Sequence, residues 1–249
     1  MAAQSNQAMT EFCEQVNPNL LLEIRNKPPV SVMLRIQESW TASLEKRVLL
    51  RLARRVPRWI NPDHLTVLGF GSQLAAGASY AFALRHRLAL IVAIVCLTFN
   101  WLGDSLDGTL ARVRQHQRPR YGFYVDHMVD TFGALALMSG LAESGYMNPW
   151  IAIALLVAFL TLSIQSYLAT HALGEFRLSF WGFGPTELRL LLAIGNLALF
   201  WKPAVHLLGF QCRLFDVGGV TGLTGMTLMI LFFSVQNTLR LYREEKILE

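Results

Sequence analysis

The chain has 249 residues, of which 53% are hydrophobic and only 16% charged, and its mean hydropathy is +0.37. Soluble domains carry about 25% charged residues, so this composition excludes an ordinary soluble protein and favours a bilayer as the solvent. Apolar segments continue from about residue 65 to residue 241 without a polar linker long enough to separate two cores. We therefore predict one membrane domain over residues 63–249, preceded by an N-terminal cytoplasmic extension over residues 1–62.

The extension ends in a predicted amphipathic helix. Leu44, Val48 and Leu52 recur every four residues, which places them on one face of a helix that Pro57 ends. Most other positions are basic: Lys46, Arg47, Arg51, Arg54 and Arg55. This pattern is typical of an interfacial helix on anionic lipid headgroups. A basic stripe can also bind nucleic acid, but no nucleic-acid-reading motif accompanies it, so we predict no nucleic-acid partner.

Six apolar segments follow, each about as long as the twenty residues that a helix needs to cross a hydrocarbon core of about 30 Å. They lie at approximately 65–84, 88–110, 121–141, 150–172, 187–208 and 220–241. We therefore predict an all-α, polytopic membrane protein with six transmembrane helices and the interfacial helix before them. An even number of crossings puts both termini on the same side.

The basic residues indicate which side that is. Eighteen of the 22 lysines and arginines lie before the first span, between spans two and three, beside the connection between spans four and five, or after span six. The positive-inside rule places these segments in the cytoplasm. Both termini and the connection between spans two and three are therefore predicted to be cytoplasmic.

Spans two and three contain four aspartates. Asp104 and Asp107 are spaced i, i+3, and Asp126 and Asp130 are spaced i, i+4, so each pair lies on one face of its helix. The helices run antiparallel, and counting inward from the basic stretch 113–120 at 1.5 Å per residue brings both pairs to a similar depth. An ionised carboxylate inside a membrane costs several kcal/mol unless it is paired, so these acids indicate a functional site.

The chemistry of these side chains predicts a metal. Four carboxylates facing one another repel strongly unless cations compensate. Oxygen ligands without a nearby cysteine select hard ions, so we predict two Mg²⁺ or Mn²⁺ ions held by the aspartates. The alternative is a carboxylate set neutralised by arginines such as Arg112 alone, but one arginine does not balance four acids.

The residues around the acids favour a phosphate ligand. Gly108, Ala111 and Gly122 are small and leave room where a ligand can lie against the helices. Arg112 can direct two N–H groups at phosphate oxygens. Metal ions that are bound by carboxylates and that bridge phosphate oxygens are typical of enzymes that transfer phosphoryl-type groups.

Read together, the segment resembles the signature of the CDP-alcohol phosphotransferases. Its fixed residues follow the spacing Asp104-x2-Asp107-Gly108-x2-Ala111-Arg112-x9-Gly122-x3-Asp126-x3-Asp130. Eight fixed positions at roughly one in twenty each give a chance match near 10⁻¹⁰ per starting point. The six spans and the amphipathic helix extend the resemblance over nearly the whole chain.

The resemblance implies roles for these residues. Asp104, Asp107, Asp126 and Asp130 bind metal, and Asp130 also acts as the base. The CMP pocket is lined by Gly108, Ala111, Arg112 and Gly122. A CDP-alcohol is the donor, a lipid or another alcohol is the acceptor, and the protein is a homodimer.

One segment departs from the family pattern. Ahead of the first span the family has Pro-Asn-x-x-Thr, whereas this chain has Pro62-Asp63-His64-Leu65-Thr66. Thr66 matches and is expected at the nucleotide. Asp63 replaces the asparagine, so its contact with the nucleotide does not follow from the resemblance.

The family has two branches that differ in donor and acceptor. One attaches CDP-activated choline or ethanolamine to diacylglycerol, and the other attaches a soluble, often phosphorylated alcohol to the phosphatidyl group of CDP-diacylglycerol. His127 after Asp126 resembles the Asp-His of the first branch, and the sequence Phe-Gly-Pro-Thr-Glu at 183–187 resembles its acidic motif. We favour the first branch, in which His127 and Glu187 share the proton of the incoming hydroxyl.

Other interpretations of these residues stay open. His127 can cap a polar helix face, and Glu187 can be an N-terminal helix charge favoured by the dipole. Arg177 and Arg189 can clamp a phosphate on a soluble acceptor, which keeps the second branch open.

Two rival classes share intramembrane acids. Intramembrane prenyltransferases bind diphosphate through Mg²⁺ on aspartate pairs, but they have more spans and lack the Gly-x-x-Ala-Arg insert. An intramembrane ion transporter carries acids near the midplane. Here the acids are nearer the cytoplasmic ends, and no inverted repeat is visible.

Overall fold

The computed structural model describes residues 34–36, 41–177, 184–207 and 209–245. Within these ranges the chain forms seven helices: α1 (Ala42–Arg55), α2 (Pro62–Phe82), α3 (Ala89–Val113), α4 (Pro119–Glu143), α5 (Pro149–Leu173), α6 (Pro185–Trp201) and α7 (Leu214–Glu244). The predicted all-helical class is confirmed. Most of the N-terminal extension before α1 lies outside the described residues.

Prolines set the start of four of these helices. Pro62, Pro119, Pro149 and Pro185 each occupy the first turn, where the missing N–H has no intrahelical partner to lose. At the other end of α5, Gly174 adopts φ +72°, the left-handed conformation that ends many helices. The helix boundaries are therefore largely encoded locally.

Two short ribbons accompany the helices. Strand β1 (Leu34–Ile36) pairs in parallel with β2 (Glu175–Arg177), with Leu34 opposite Glu175. Strand β3 (Ala204–Leu207) pairs antiparallel with β4 (Phe210–Arg213), with Ala204 opposite Arg213.

The hairpin of β3 and β4 corrects the fifth predicted span. We expected a helix over 187–208, but α6 ends at Trp201 and β3 begins at Ala204. Pro203 lies between them and lacks the N–H that a continuing helix needs. The helix has 17 residues, about 26 Å at 1.5 Å per residue.

By length and composition, α3, α5 and α7 are suited to cross a membrane among the described residues. Large apolar side chains also face outward on several helices, including Val67 at 70% exposure, Ile194 at 61% and Leu231 at 58%. Water would disfavour this much apolar surface, whereas lipid accommodates it. The chain is therefore an integral membrane protein, and the crossings by α2, α4 and α6 stay predictions.

Glycines allow α2 to touch both α3 and α4. A Cβ on Gly103 of α3 would lie 2.6 Å from the Gly69 Cα on α2, and a Cβ on Gly140 of α4 would lie 1.9 Å from the Gly77 O on α2. No side chain fits at these distances, so the backbones are in direct contact. Small residues at helix interfaces bring membrane helices together in this way.

Helix α1 packs its inner face on the membrane domain. Leu49 and Ala53 are buried in a cluster with Leu65, Leu106 and Leu110. This face is displaced from the predicted stripe, since Leu44 of that stripe is 66% exposed. The five basic residues predicted to face lipid headgroups are all exposed, so the outer face has the composition of an interfacial surface.

We predict that Gly77→Ala destabilises the protein. The new Cβ would lie 2.3 Å from Ala136 O on α4, and this overpacking should cost about 1–3 kcal/mol. Thermal unfolding in detergent should show a lower midpoint than wild type. Gly71→Ala on the same helix is the matched control, because a Cβ there meets nothing within 4 Å. Equal midpoints for the two variants would contradict the packing role.

Candidate active site

The four aspartates line one cavity between α2, α3 and α4. The space between these helices that atoms leave free, open solvent included, is about 220 Å³. The lining residues are Thr66, Gly69, Phe70, Asn100, Asp104, Asp107, Asp126, Val129 and Asp130. The predicted meeting of the two acidic pairs at a similar depth therefore agrees with the arrangement of the helices.

The two acids of α3 each have a partner on another helix. Thr66 Oγ1 donates to Asp107 Oδ2 at 2.6 Å, which joins α2 to α3. Arg189 Nη2 of α6 donates to Asp104 Oδ2 at 2.6 Å. This ion pair offsets part of the negative charge of the cavity.

The acids of α4 lie beside an aromatic cluster. The ring of His127 packs on Phe123, with centroids 4.1 Å apart, and against Tyr167 of α5 at 4.8 Å. Its Nδ1 contacts Phe123 O at 2.5 Å, and because a carbonyl only accepts, Nδ1 carries the proton. His127 does not appear among the residues that line the cavity, and its described contacts are those of a packed side chain.

The donor set fits a hard divalent cation. Four carboxylates and the Thr66 hydroxyl offer only oxygen to the cavity, and such ligands suit Mg²⁺ or Mn²⁺. Arg189 pairs with Asp104, and four carboxylates carry more negative charge than Arg189 and Arg112 together would balance. Within the described ranges, no group of three or more histidine, cysteine, aspartate or glutamate side chains is arranged so that it could hold a metal ion directly.

The predicted nucleotide residues lie on open backbone. A Cβ on Gly122 would meet nothing within 4 Å, and one on Gly108 would meet only Arg112 Nη1, at 3.7 Å. Arg112 Nη2 donates to Thr109 Oγ1 at 3.2 Å, so its guanidinium lies along the helix beside Gly108. Ala111 is half-buried on the same turn. Unlike Gly77 and Gly103, these glycines are not needed for helix packing in the described structure.

Glu187 holds α1 against α6. Its Oε1 accepts from Thr41 N at 3.2 Å and from Thr41 Oγ1 at 2.6 Å, and its Oε2 accepts from Gly184 N at 2.9 Å. Both oxygens are thus used at the start of two helices. Glu187 does not line the acidic cavity, and Phe183 of its predicted motif lies outside the described residues.

A second carboxylate, Glu45 on α1, contacts the helices of the site. Glu45 Oε1 accepts from Trp101 Nε1 at 2.9 Å and from Ser105 Oγ at 2.9 Å, both on α3. Thr186 Oγ1 of α6 donates to the same carboxylate at 3.2 Å. Sequence reasoning missed this contact, since Glu45 is one polar residue in a charged helix and its partners are distant in the chain.

Asp63, which replaces the asparagine of the family pattern, also has a partner. Arg118 donates to both oxygens of Asp63, and this hydrogen bond raises the pKa of the Arg118 guanidinium. The guanidinium carbon lies 4.2 Å from the centroid of the Tyr121 ring. Asp63 thus pairs with the connection between α3 and α4.

A comparison with protein families supports the same assignment. The family model described as CDP-alcohol phosphatidyltransferase matches residues 59–234. The chain belongs to this family. The match includes all of α2 to α6 and most of α7, and therefore the whole acidic cavity. None of the curated proteins matches the sequence.

Membership in the CDP-alcohol phosphatidyltransferase family fixes the general chemistry. The protein is a transferase of phosphate-containing groups that moves a phosphoalcohol from a CDP-alcohol in phospholipid synthesis. Members are generally dependent on divalent metal ions, which agrees with the oxygen-rich cavity. The family match does not favour the two alternative classes, an ion transporter and an intramembrane prenyltransferase.

The cavity includes residues that the sequence did not single out. Gly69, Phe70, Asn100 and Val129 line it. Asn100 lies one helical turn before Asp104, and this i, i+4 spacing was the available signal. The side chain of Arg177 lies outside the description, whereas Arg189 contacts the cavity through Asp104.

We predict that Glu187→Gln loosens α1. The amide nitrogen of glutamine cannot accept a hydrogen bond, so the Thr41 or the Gly184 contact is lost at a cost of about 1–2 kcal/mol. Hydrogen exchange over the first two turns of α1 should be about tenfold faster than in wild type. Glu143→Gln, at an exposed position near the end of α4, is the control. Unchanged exchange in Glu187→Gln would contradict this anchoring role.

Proposed function

We propose that this protein transfers a phosphoalcohol group from a CDP-alcohol to an acceptor alcohol, with release of CMP, at the cavity between α2, α3 and α4. The observation that carries the proposal is that all four aspartates of the family signature line this cavity together with Thr66. The basic segments of the chain support a cytoplasmic opening. A homodimer is carried over from the resemblance and stays a prediction.

Residues of the cavity have complementary tasks in this scheme. Asp104, Asp107, Asp126 and Asp130 would hold two Mg²⁺ or Mn²⁺ ions. When bound, the ions supply positive charge against the pyrophosphate oxygens of the donor. Gly108, Ala111, Gly122 and Thr66 would face the CMP moiety, and Arg112 would donate to its phosphate.

The transfer step is a substitution at phosphorus. The oxygen of the acceptor hydroxyl forms a bond to the β-phosphorus of the CDP-alcohol, while the bond from that phosphorus to the CMP oxygen breaks. CMP leaves with the bonding electron pair. Asp130 lines the cavity and takes the hydroxyl proton as general base.

For the substrates, we propose CDP-choline or CDP-ethanolamine as donor and a diacylglycerol as acceptor. Support comes from the Asp-His pair at 126–127 and the acidic motif ending at Glu187. In this branch the neighbours of the cavity assist the proton transfer. His127 and Glu187 would share the proton of the incoming hydroxyl in this branch, and in the described structure His127 contacts Phe123 and Tyr167 while Glu187 contacts Thr41 and Gly184.

A second candidate rests on Arg189. Its guanidinium contacts Asp104 at the cavity, and its other N–H groups are suited to a phosphate on a soluble acceptor. In that case CDP-diacylglycerol is the donor. Arg189→Ala should then raise the KM for the phosphorylated acceptor more than the KM for the donor, because a phosphate clamp acts in ground-state binding.

Label transfer distinguishes the two candidates. With purified protein in detergent and Mg²⁺ or Mn²⁺, label from the alcohol of CDP-choline or CDP-ethanolamine should appear in lipid only when diacylglycerol is supplied. Transfer from CDP-diacylglycerol to a soluble alcohol, with none from the small CDP-alcohols, would overturn the proposed branch. Absence of any CMP-releasing transfer would overturn the proposed function itself.

We predict that Asp107→Asn lowers the transfer rate by at least about a hundredfold and leaves the fold intact. The variant keeps the size of the side chain and an acceptor for Thr66, but it removes a charged ligand. A chelator should abolish CMP release from wild type, and added Mg²⁺ should restore it. Undiminished release in chelator would contradict the metal requirement, while a matched unfolding midpoint checks the fold.

Gly122→Ala tests the nucleotide pocket. Because a Cβ at Gly122 meets nothing within 4 Å, the protein should fold, and alanine should stabilise the helix by up to about 1 kcal/mol. If CMP lies against this backbone, the added methyl group should raise the KM for the CDP donor by about tenfold or more. Gly218→Ala on α7, which is equally open, should leave it unchanged. An unaltered KM in Gly122→Ala would place the nucleotide elsewhere.

A further inference from the structure

Asn100 is a buried amide at the inner end of the acidic cavity. Its side chain is 3% exposed, and it lines the cavity with the four aspartates. It lies four residues before Asp104 on α3, about 6 Å further along the helix axis from the cytoplasmic end. Asn100, Asp104 and Asp107 thus follow one face of the helix at i, i+4 and i+7.

The orientation of this amide is fixed by α2. Nδ2 donates to Gly69 O at 3.0 Å and to Gln73 Oε1 at 3.2 Å. Gly69 O is a backbone carbonyl that can only accept, so a reversed amide would set two acceptors against each other. Gln73 is itself confined, since it packs where a Cβ on Gly133 of α4 would lie. The nitrogen therefore faces α2, and the oxygen is left for another partner.

That oxygen has none among the described residues. Asn100 Oδ1 is buried without a hydrogen-bond partner, which costs about 1–3 kcal/mol unless a ligand satisfies it. A neutral carbonyl oxygen is a normal ligand of hard divalent cations. Two helical side chains at i, i+4 can also share one ion, as the histidines of the His-Glu-x-x-His motif do.

We propose that Asn100 Oδ1 is a further, uncharged ligand of the divalent cation in this cavity. This inference rests on the proposed metal site and adds a residue outside the aspartate signature. An amide oxygen increases the number of ligands without adding to the repulsion among four carboxylates. Asn100 is thereby a positioning residue that draws the ion toward the floor of the cavity, next to Asp104.

Asn196 provides a matched control. It is also fully buried, and its Oδ1 also lacks a partner in the described structure. Its Nδ2 contact is the Tyr80 hydroxyl at 2.8 Å, which both donates and accepts, so a reversed amide satisfies that oxygen. Asn196 does not line the acidic cavity.

To test this inference, Mn²⁺ alone is titrated into the full-length protein. The electron paramagnetic resonance signal of free Mn²⁺ measures how much of the ion is bound. Asn100→Leu should raise the Kd for Mn²⁺ by about tenfold or more, while Asn196→Leu should leave it unchanged even if it unfolds at a lower temperature. Asn100→Asp, which keeps an oxygen at this position but adds a charge and loses the Nδ2 donor, should bind Mn²⁺ more tightly than Asn100→Leu. Equal Kd values for wild type and Asn100→Leu, or equal losses in both leucine variants, would overturn the role of Asn100.

A second measurement is made on the wild-type protein, so its main result does not depend on how a variant folds. Wild-type protein labelled with ¹³C at asparagine side-chain carbonyls should show a hyperfine coupling between bound Mn²⁺ and ¹³C, and the coupling should vanish in labelled Asn100→Asp. Absence of the coupling in Mn²⁺-loaded wild type would overturn the inference and leave the aspartate site standing. Failure of wild type to bind Mn²⁺ at all would instead overturn the metal site of the proposed function, and the role of Asn100 with it.

Discussion

Direct backbone contact between α2 and its two neighbours determines where every group of the acidic cavity lies. Lipid is as apolar as a leucine side chain, so membrane helices associate through close packing rather than through the hydrophobic effect. Gly69 meets Gly103, and Gly77 meets Gly140. Asp104 follows Gly103 directly in the sequence, and Gly69 itself lines the cavity. The contact that holds the helices together is thus one residue away from a proposed metal ligand.

The same arrangement concentrates negative charge. The residues around the acids are mostly neutral, apart from Arg189 on Asp104 and Arg112 beside Gly108. Thr66 contributes a hydroxyl that orients Asp107 without neutralising it. Because a bilayer screens such charge poorly, divalent cations would stabilise the packed helices as well as support the chemistry.

Local sequence patterns account for much of the fold and for the composition of the site. Apolar runs predicted six long helices, and the i, i+3 and i, i+4 spacings predicted that the aspartates share a cavity. The predicted end of α6 at residue 208 was wrong, because the residues after Pro203 form a strand. Sequence alone also cannot separate the packing glycine Gly77 from the open glycine Gly122, since that difference depends on which helix lies opposite.

The contacts of carboxylates outside the aspartate signature could not be predicted from the sequence either. Glu187 resembles a catalytic residue in its motif, yet in the structure both of its oxygens bind the starts of α1 and α6. Its partner Thr41 is far away in the chain, and no periodicity encodes such a pair. Only the tertiary structure shows that Glu187 hydrogen-bonds to Thr41 and Gly184 at the starts of these two helices.

Helix α1 is hydrogen-bonded to two of the helices that form the candidate active site. Glu45 contacts Trp101 and Ser105 on either side of Asp104 along α3, and Thr186 three residues before Arg189 on α6. Arg114 at the end of α3 also donates to the carbonyls that follow α1, at Val56 and Pro57. The hydrogen bonds of Glu45 therefore join α1 to the segments of α3 and α6 that carry the Asp104–Arg189 ion pair. The geometry of this ion pair thus depends on the packing of α1 as well as on that of α2, α3 and α4.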